Sequence, residues 1–209
     1  MKEIKFSLLS EGKSDAALLP IIMWVFRQQI GADSIVTGDR VDEGRLPKTG
    51  NRLRLAIETY PCDFLIIHRD ADGENWEVRK REIASWCEET TLADTRPIAI
   101  VPVRETEAWL LVDAQAIRRA AGNPNGRVDL KLPAPNKLEQ LVDAKEHLLA
   151  TLRLASELSG RRLKKFDERG ARLLIGEKIS DYRVLRALKA FERFEAEVRH
   201  QLLEAGIGG

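Results

Sequence analysis

The chain has 209 residues, with 34 basic and 33 acidic side chains and a formal net charge of +1. This balance argues against a generic nucleic-acid binder, because such proteins usually carry a clear basic excess, although a local basic patch stays open. The hydrophobic fraction of 44% is enough for a sizeable core, and no apolar run approaches the roughly 20 residues that cross a bilayer.

The two cysteines, Cys62 and Cys87, form no CxxC pair, which argues against zinc sites and disulfide frameworks. A reducing, cytoplasmic location fits this cysteine usage best. The chain enters a strand-like pattern within its first six residues, so we expect no signal peptide.

The first half of the chain alternates apolar strand patterns with helical patterns, which indicates parallel strand pairing and right-handed crossovers. The predicted elements in chain order are a strand at 4–9, a helix at 14–30, a β-leaning stretch at 33–41, a loop at 42–51, a helix at Arg52–Thr59, a strand at Phe64–His68, a helix at 74–90 and a strand at 97–103.

No strand signal is strong after Val103, and the second half reads as helical. The predicted elements are helices at 105–112 and 114–121, a loop at 122–135, and helices at 136–158 and 180–205. We therefore expect an α/β core at 1–113 and a helical C-terminal extension at 114–209 that packs on it.

Two acidic motifs each follow a predicted strand. Glu11 opens the motif Glu-Gly-Lys-Ser-Asp after the first strand, and Asp70 and Asp72 belong to an Asp-Ala-Asp-Gly motif after Phe64–His68. Ligands gather beyond the carboxyl ends of strands in open α/β sheets, and carboxylate oxygens suit Mg²⁺. Side chains two apart on an extended segment share a face, so both aspartates can point at one ion or at two neighbouring ions.

Each motif has a plainer interpretation. A glutamate before a glycine is often only a turn, and an Asp-x-Asp-Gly sequence can serve as a helix cap and turn. The presence of both motifs in one chain favours metal binding by Glu11, Asp70 and Asp72. Lys13 lies beside a predicted helix N-terminus that could bind a phosphate, although the glycine spacing of a P-loop is absent.

A third charged segment follows the strand predicted at 97–103. Arg104, Glu105 and Glu107 can simply solvate a helix start, where acids are favourable, but Glu107 can also complete the acidic cluster. His68 could act as a base or ligand, yet a hydrogen-bonded core histidine is the favoured interpretation.

The basic candidates are fewer. The densest basic cluster begins with Arg161 and Arg162, and it is either a solvated face or a contact for phosphate backbones. Lys178 could approach the acids and stabilise a developing negative charge. We assign Lys13, Arg104, Arg161 and Arg162 as candidate substrate-binding residues.

With these residues assembled, the chain resembles the TOPRIM-like proteins, the catalytic fold of topoisomerases, primases and OLD-family nucleases. It looks closest to the small stand-alone family DUF4276, which is linked to RloB-like proteins. The resemblance rests on Glu11-Gly12, on Asp70-x-Asp72, on the block from Glu107 to Asp113 and on the segment from Ile179 to Phe194.

The resemblance implies a mostly parallel four-stranded sheet between helices. It also implies Glu11 as a general acid/base or metal ligand, Asp70 and Asp72 as Mg²⁺ (or Mn²⁺) ligands, and Glu107 as a further ligand. The ATPase domain that precedes the nuclease in OLD proteins is not part of the match, so a separately encoded ATPase, as in phage-defence systems, is an expected partner.

Three functional hypotheses follow. The first is a metal-dependent phosphodiesterase, a nuclease acting on DNA or RNA, in which Glu11 relays a proton and two ions activate water and stabilise the leaving oxygen. The second is a catalytically weak regulatory or binding subunit of a defence complex. The third is phosphoryl transfer on a small nucleotide, which a closed pocket would favour. The oligomeric state stays open, with a homodimer as one option.

Overall fold

The computed structural model describes residues 2–31, 34–42, 51–71, 73, 75–92 and 94–207. Its sheet has four parallel strands, in the order β2-β1-β3-β4. The strands are β1 (Lys2–Leu9), β2 (Ser34–Arg40), β3 (Phe64–His68) and β4 (Arg96–Ile100). The prediction of a parallel four-stranded sheet between helices, followed by a helical C-terminal part, is confirmed.

Helices surround this sheet and make up most of the second half of the chain. The α-helices of the described residues are α1 (Leu19–Gln29), α2 (Arg52–Thr59), α3 (Trp76–Glu88), α4 (Ala114–Ala120), α5 (Ala144–Ser156), α6 (Gly160–Lys164), α7 (Glu168–Lys178) and α8 (Lys189–Glu204). Short 3₁₀ helices lie at Lys13–Leu18, Thr106–Leu110, Pro135–Gln140 and Arg183–Ala187. No helix among these is long and apolar enough to span a membrane.

The two faces of the sheet bury different helices, and alternation along the strands assigns each side chain to a face. In β3, Phe64 and Ile66 join a core with α1, whereas Leu65 and Ile67 join a second core with α2 and α3. The chain therefore leaves β1 toward one face and leaves β3 toward the other. The neighbouring ends of β1 and β3 form the topological switch point, where open α/β sheets leave a crevice.

The C-terminal helices pack on the same face as α1, and their buried side chains belong to one core with it. Helix α8 also runs beside the edge strand β4. There the guanidinium of Arg96 donates a hydrogen bond to the carbonyl of Glu204 at 3.1 Å, and Nζ of Lys80 lies 3.3 Å from a carboxylate oxygen of Glu197. These contacts hold α8 against the α/β core.

The strand register opposes Phe6 of β1 to Gly38 of β2. The ring of Phe6 occupies the place that a Cβ of residue 38 would take, since that atom would fall 2.0 Å from the ring. Phe6 also stacks on Phe26 of α1, with ring centroids 5.5 Å apart. A glycine in the edge strand therefore makes room for an aromatic side chain in the core.

Several predicted helices are shorter or differently built than expected. The helix predicted at 14–30 begins as a 3₁₀ helix before α1, and the one predicted at 105–112 is a 3₁₀ helix at Thr106–Leu110. The helices predicted at 136–158 and 180–205 are each broken, because Leu141 and Leu188 adopt extended backbone. Helices α6 and α7 were not predicted. The loop predicted at 42–51 lies mostly outside the described residues.

Candidate functional site at the crevice between β1 and β3

A cavity of about 520 Å³ opens at the carboxyl ends of β1 and β3, on the face that carries α2 and α3. Its described lining residues are Leu9, Ser10, Glu11, Asn51, Arg52, Leu53, Ile67, His68, Arg69, Trp86 and Glu89. This is the crevice that the strand order predicts, and it is the usual place for ligands in such sheets. Glu11 lines this cavity, whereas Asp15 and Asp70 lie beside His68 on the opposite face of the sheet.

On the α1 side of the crevice, His68 is buried between two carboxylates. Its Nδ1 lies 3.3 Å from Oδ2 of Asp15, and its Nε2 lies 3.2 Å from Oδ1 of Asp70. The hydroxyl of Thr106 lies 3.0 Å from the same Nε2. Asp15 also accepts the backbone N–H of Gly12 at 2.9 Å. This network joins the ends of β1 and β3 to the 3₁₀ helix after β4.

The positive charge of His68 and the negative charges of Asp15 and Asp70 stabilise one another. Burial alone would lower the pKa of His68, but the hydrogen bonds and negative charges of Asp15 and Asp70 outweigh burial and raise that pKa to about 9. Burial tends to raise the pKa of Asp15, yet the contacts with His68 and the Gly12 N–H lower it overall. His68 is therefore a cation at neutral pH that holds two carboxylates in place.

On the α2 and α3 side, Glu11 forms an ion pair with Arg69. Nη1 of Arg69 lies 2.8 Å from a carboxylate oxygen of Glu11, and its Nη2 lies 3.6 Å from Glu82. The guanidinium also lies over the ring of Trp86, 5.4 Å from its centroid. Glu11 thus faces the cavity, whereas Asp70, one residue after Arg69, points to the other face of the sheet.

Glu107 makes the third acidic contact of this edge, with a cation from the C-terminal helices. Its carboxylate accepts a hydrogen bond from Arg172 of α7, and both side chains are about nine-tenths buried. Burial raises the pKa of Glu107, the charge of Arg172 opposes that rise, and the negative charges of Glu105 and Asp70 add to it. Thr106, the residue before Glu107, contacts His68, so Glu107 borders the His68 network.

The loop that carries Asp70 continues the ladder beyond the strands. The backbone N–H of Arg69 donates to the carbonyl of the last residue of β4 at 3.2 Å, and those of Ala71 and Gly73 donate to carbonyls of the segment that follows β4 at 3.0 Å. Gly73 has a φ of 81°, and a Cβ placed there would lie 3.4 Å from Nη1 of Arg104. The guanidinium of Arg104 therefore lies against this loop, and its substrate-binding role stays a prediction.

The remaining predicted residues lie farther from this network or outside it. Lys13 is exposed at the start of the 3₁₀ helix after β1, and Arg161 and Arg162 are exposed on α6. Lys178 is exposed at the last position of α7, and the α7 cation that contacts an acid of the site is Arg172. Asp72 lies outside the described residues.

Within the described residues, no group of three or more histidine, cysteine, aspartate or glutamate side chains is arranged to hold a metal ion. Glu11, Asp70 and Glu107 are each held by a different cation. Metal binding at this edge, and a site shared by Glu11 and Asp70, stay predictions.

Sequence reasoning missed two cations, one acid and one aromatic side chain of this edge. Arg69 and Trp86 carried a signal, because alternation places Arg69 on the face opposite to Asp70 and the helical pattern of α3 turns Trp86 toward the sheet. Asp15 stood in the first motif but was not assigned to the site. Arg172 carried no local signal, since its partner lies 65 residues away.

Comparison of the chain with protein-family models, with curated proteins and with solved structures finds no match.

Proposed function

We propose that this protein is a Mg²⁺- or Mn²⁺-dependent phosphodiesterase, a nuclease that acts on DNA or RNA. One observation carries the proposal: Glu11, Asp70 and Glu107 follow three neighbouring strands, β1, β3 and β4, at the carboxyl edge of a parallel sheet. Acids that follow neighbouring strands at that edge suit a divalent cation and a phosphate ester.

The donor chemistry of the α1 side fits a hard cation. Asp70 is 22% exposed and Glu107 is about one-tenth exposed, so Asp70 is the open ligand, with Glu107 and Asp72 as further candidates. Carboxylate oxygens without thiolates favour Mg²⁺ or Mn²⁺ over softer metals. Such an ion, when bound, supplies a water of lowered pKa and stabilises the leaving oxygen.

Side chains of this protein would position the ligand, accept the proton and bind the phosphate. His68 and Thr106 both contact Oδ1 of Asp70, which fixes the direction of its carboxylate. Glu11, which Arg69 holds on the cavity side of this edge, is the candidate to accept the proton of the attacking water. Arg104 beside Gly73 binds phosphate oxygens and their developing charge.

The other assigned cations surround this centre. Lys13 is placed to bind phosphate at the turn after β1, Lys178 is the candidate for further charge stabilisation, and Arg161 and Arg162 would meet the backbone of a longer strand.

Two alternatives have a specific observation behind them. The cavity of about 520 Å³ favours a small nucleotide as the substrate of phosphoryl transfer. The ion pair of Glu11 with Arg69 favours a catalytically weak subunit that acts through a partner, such as a separately encoded ATPase of a phage-defence complex.

A cleavage screen tests these functions. Labelled single-stranded DNA, duplex DNA, RNA and tRNA are incubated with Mg²⁺, Mn²⁺ or EDTA, and free nucleotides are assayed for phosphate release. We expect metal-dependent cleavage that Asp70→Asn abolishes. The control Asp94→Asn makes the same change at an exposed residue before β4, at the opposite end of the sheet. Cleavage that survives Asp70→Asn, or none with any substrate, would contradict the nuclease proposal.

A further inference from the structure

We infer that the cavity between β1, β3, α2 and α3 binds the base of a nucleotide, either free or at an unpaired position of a strand. This inference rests on the proposed function for the identity of the ligand and adds to it the place of recognition. The volume of about 520 Å³ lies within the usual range of small-ligand sites. It exceeds what a phosphate alone requires.

The walls of the cavity are those of a site for a flat, apolar group. Leu9, Leu53 and Ile67 contribute aliphatic side chains from β1, α2 and β3, and Trp86 contributes an indole from α3. Aromatic side chains are the usual platforms for unpaired bases, because every base has a stacking face. Trp86 already holds the guanidinium of Arg69 near its ring, so the indole is oriented in the absence of a ligand.

The charged side chains that line this face of the cavity balance in number, Arg52 and Arg69 against Glu11 and Glu89, which favours a neutral group over a phosphate. The positive charge of Arg69 is balanced by Glu11 at 2.8 Å and by Glu82 at 3.6 Å. A phosphate placed beside Glu11 would meet a like charge. A base carries no charge at neutral pH, so it can enter without breaking these pairs.

The cavity also adjoins the carboxyl edge of the sheet, where the acidic side chains lie. His68 ends β3 beside the cavity, and its buried side chain contacts Oδ1 of Asp70 on the opposite face of the sheet. A nucleotide with its base against Trp86 would therefore have its phosphate at the carboxyl edge of the sheet, beyond the ends of β1 and β3. This arrangement requires an accessible base, so the substrate would be a free nucleotide or an unpaired strand rather than an intact duplex.

The test measures binding without catalysis. Adenosine, guanosine, cytidine and uridine monophosphates are titrated in EDTA by calorimetry, with thermal shift as a second measure. We expect at least one nucleotide to bind, and Trp86→Leu to weaken it about tenfold, the loss expected for one stacked base. Trp86→Phe should retain most of the binding. No binding of any nucleotide to the wild type would overturn the inference.

Helix α3 offers a matched control. Trp76 is also half-buried and also lies under an arginine, with Arg193 4.2 Å from its ring centroid, but it does not line the cavity. Trp76→Leu should leave nucleotide affinity within about twofold, well below the loss of a stacked base. An equal loss in Trp76→Leu and Trp86→Leu would overturn the inference, because the effect would then come from the helix and not from the cavity.

Hydrogen exchange of the wild type covers the case in which Trp86→Leu does not fold. Bound nucleotide should protect amides at 51–53 and 86–89, and protection confined to other segments would place the ligand elsewhere. Mononucleotides compared with single-stranded and duplex oligonucleotides distinguish a free ligand from an unpaired base. Cleavage without nucleotide binding would overturn this inference alone, whereas nucleotide binding without cleavage of any substrate would overturn the nuclease proposal alone.

Discussion

The imidazole Nδ1 of His68 lies 3.3 Å from Oδ2 of Asp15, although 53 positions separate the two residues. This contact ties the turn after β1 to the end of β3, on the face opposite to the ion pair of Glu11 with Arg69. The carboxyl edge of the sheet is thus organised by buried cations as much as by its acids.

Stability should depend on the protonation of His68. Its pKa in the folded protein is about 9, above the ordinary value of 6.5, so its stabilising effect is complete below about pH 6.5 and is lost as the pH rises through about 9. Over this pH range the free energy of unfolding should fall by about 3 kcal/mol. Urea melts in EDTA between pH 6 and pH 9.5 measure it.

His68→Gln should flatten this profile and lower the stability at pH 6, because Asp15 and Asp70 then lose their shared cation. His147 provides the matched control, since it lies on α5 away from the crevice, and His147→Gln should keep the slope. A wild-type stability that is unchanged between pH 6.5 and pH 9 would contradict the prediction.

A divalent cation should raise the melting temperature through Asp70. A ligand at a hundredfold excess over its Kd, bound only by the folded state, stabilises by about 2.7 kcal/mol, which corresponds to roughly 5–10 °C for a chain of this size. Differential scanning fluorimetry with Mg²⁺ or Mn²⁺ measures the shift. Asp70→Asn should remove most of it and Asp94→Asn should retain it; an undiminished shift in Asp70→Asn would place the ion elsewhere.

The buried pair of Glu107 and Arg172 should be sensitive to loss of the cation. Arg172→Met leaves a buried carboxylate without its partner, so we expect a loss of about 3–5 kcal/mol in the free energy of unfolding. The loss should be smaller at pH 5 than at pH 7.5, because burial already raises the pKa of Glu107 and protonation relieves the unpaired charge.

Two comparisons test this explanation of the pair. Adding Glu107→Gln to Arg172→Met should recover part of the stability, and a double variant that is weaker than both single variants would contradict the idea of a stranded charge. Arg153 makes a similar ion pair with Glu168 but is half exposed, so Arg153→Met should cost about 0–1 kcal/mol.

Phe191 on α8 is fully buried, as its helical spacing predicts, and its ring meets that of Trp109 edge-on at 5.4 Å. Phe191→Ala should therefore cost about 3–5 kcal/mol in denaturant melts. Leu203 on the same helix is 58% exposed, so Leu203→Ala should stay within about 0.5 kcal/mol. A Phe191→Ala variant of normal stability with weakened association in light scattering would mean that the residue serves an interface between chains.

Gly38 should not tolerate a methyl group. Its Cβ would collide with the ring of Phe6, and overpacking of this kind costs about 1–3 kcal/mol. Gly31→Ala is the control, because among the described residues, its chain neighbours aside, no atom lies within 4 Å of the added carbon. In a double-mutant cycle, Gly38→Ala should lower the free energy of unfolding less in the Phe6→Leu background than in the wild type. Strict additivity of the two changes would disprove the collision.

Local signals were enough for most of the sheet and its nearest helices. The bounds of Arg52–Thr59 and Phe64–His68 were predicted to the residue, because a capping asparagine, a preceding proline and a short apolar run act within a few positions. The placement of Glu11 and Asp70 at one edge also followed from the sequence, since parallel strands end on the same side.

Only the tertiary structure decided which side chains pair with one another at that edge. The extended backbone at Leu188 breaks a helix that the apolar spacing predicts as continuous. The partners of Glu11, Asp15 and Glu107 come from positions 53 to 65 residues away, and charge pairing over such separations depends on packing that no local pattern records. The sequence by itself determined which acids reach the edge of the sheet; the fold decided which cation holds each of them and on which face, because alternation along β3 turns Arg69 and Asp70 to opposite sides.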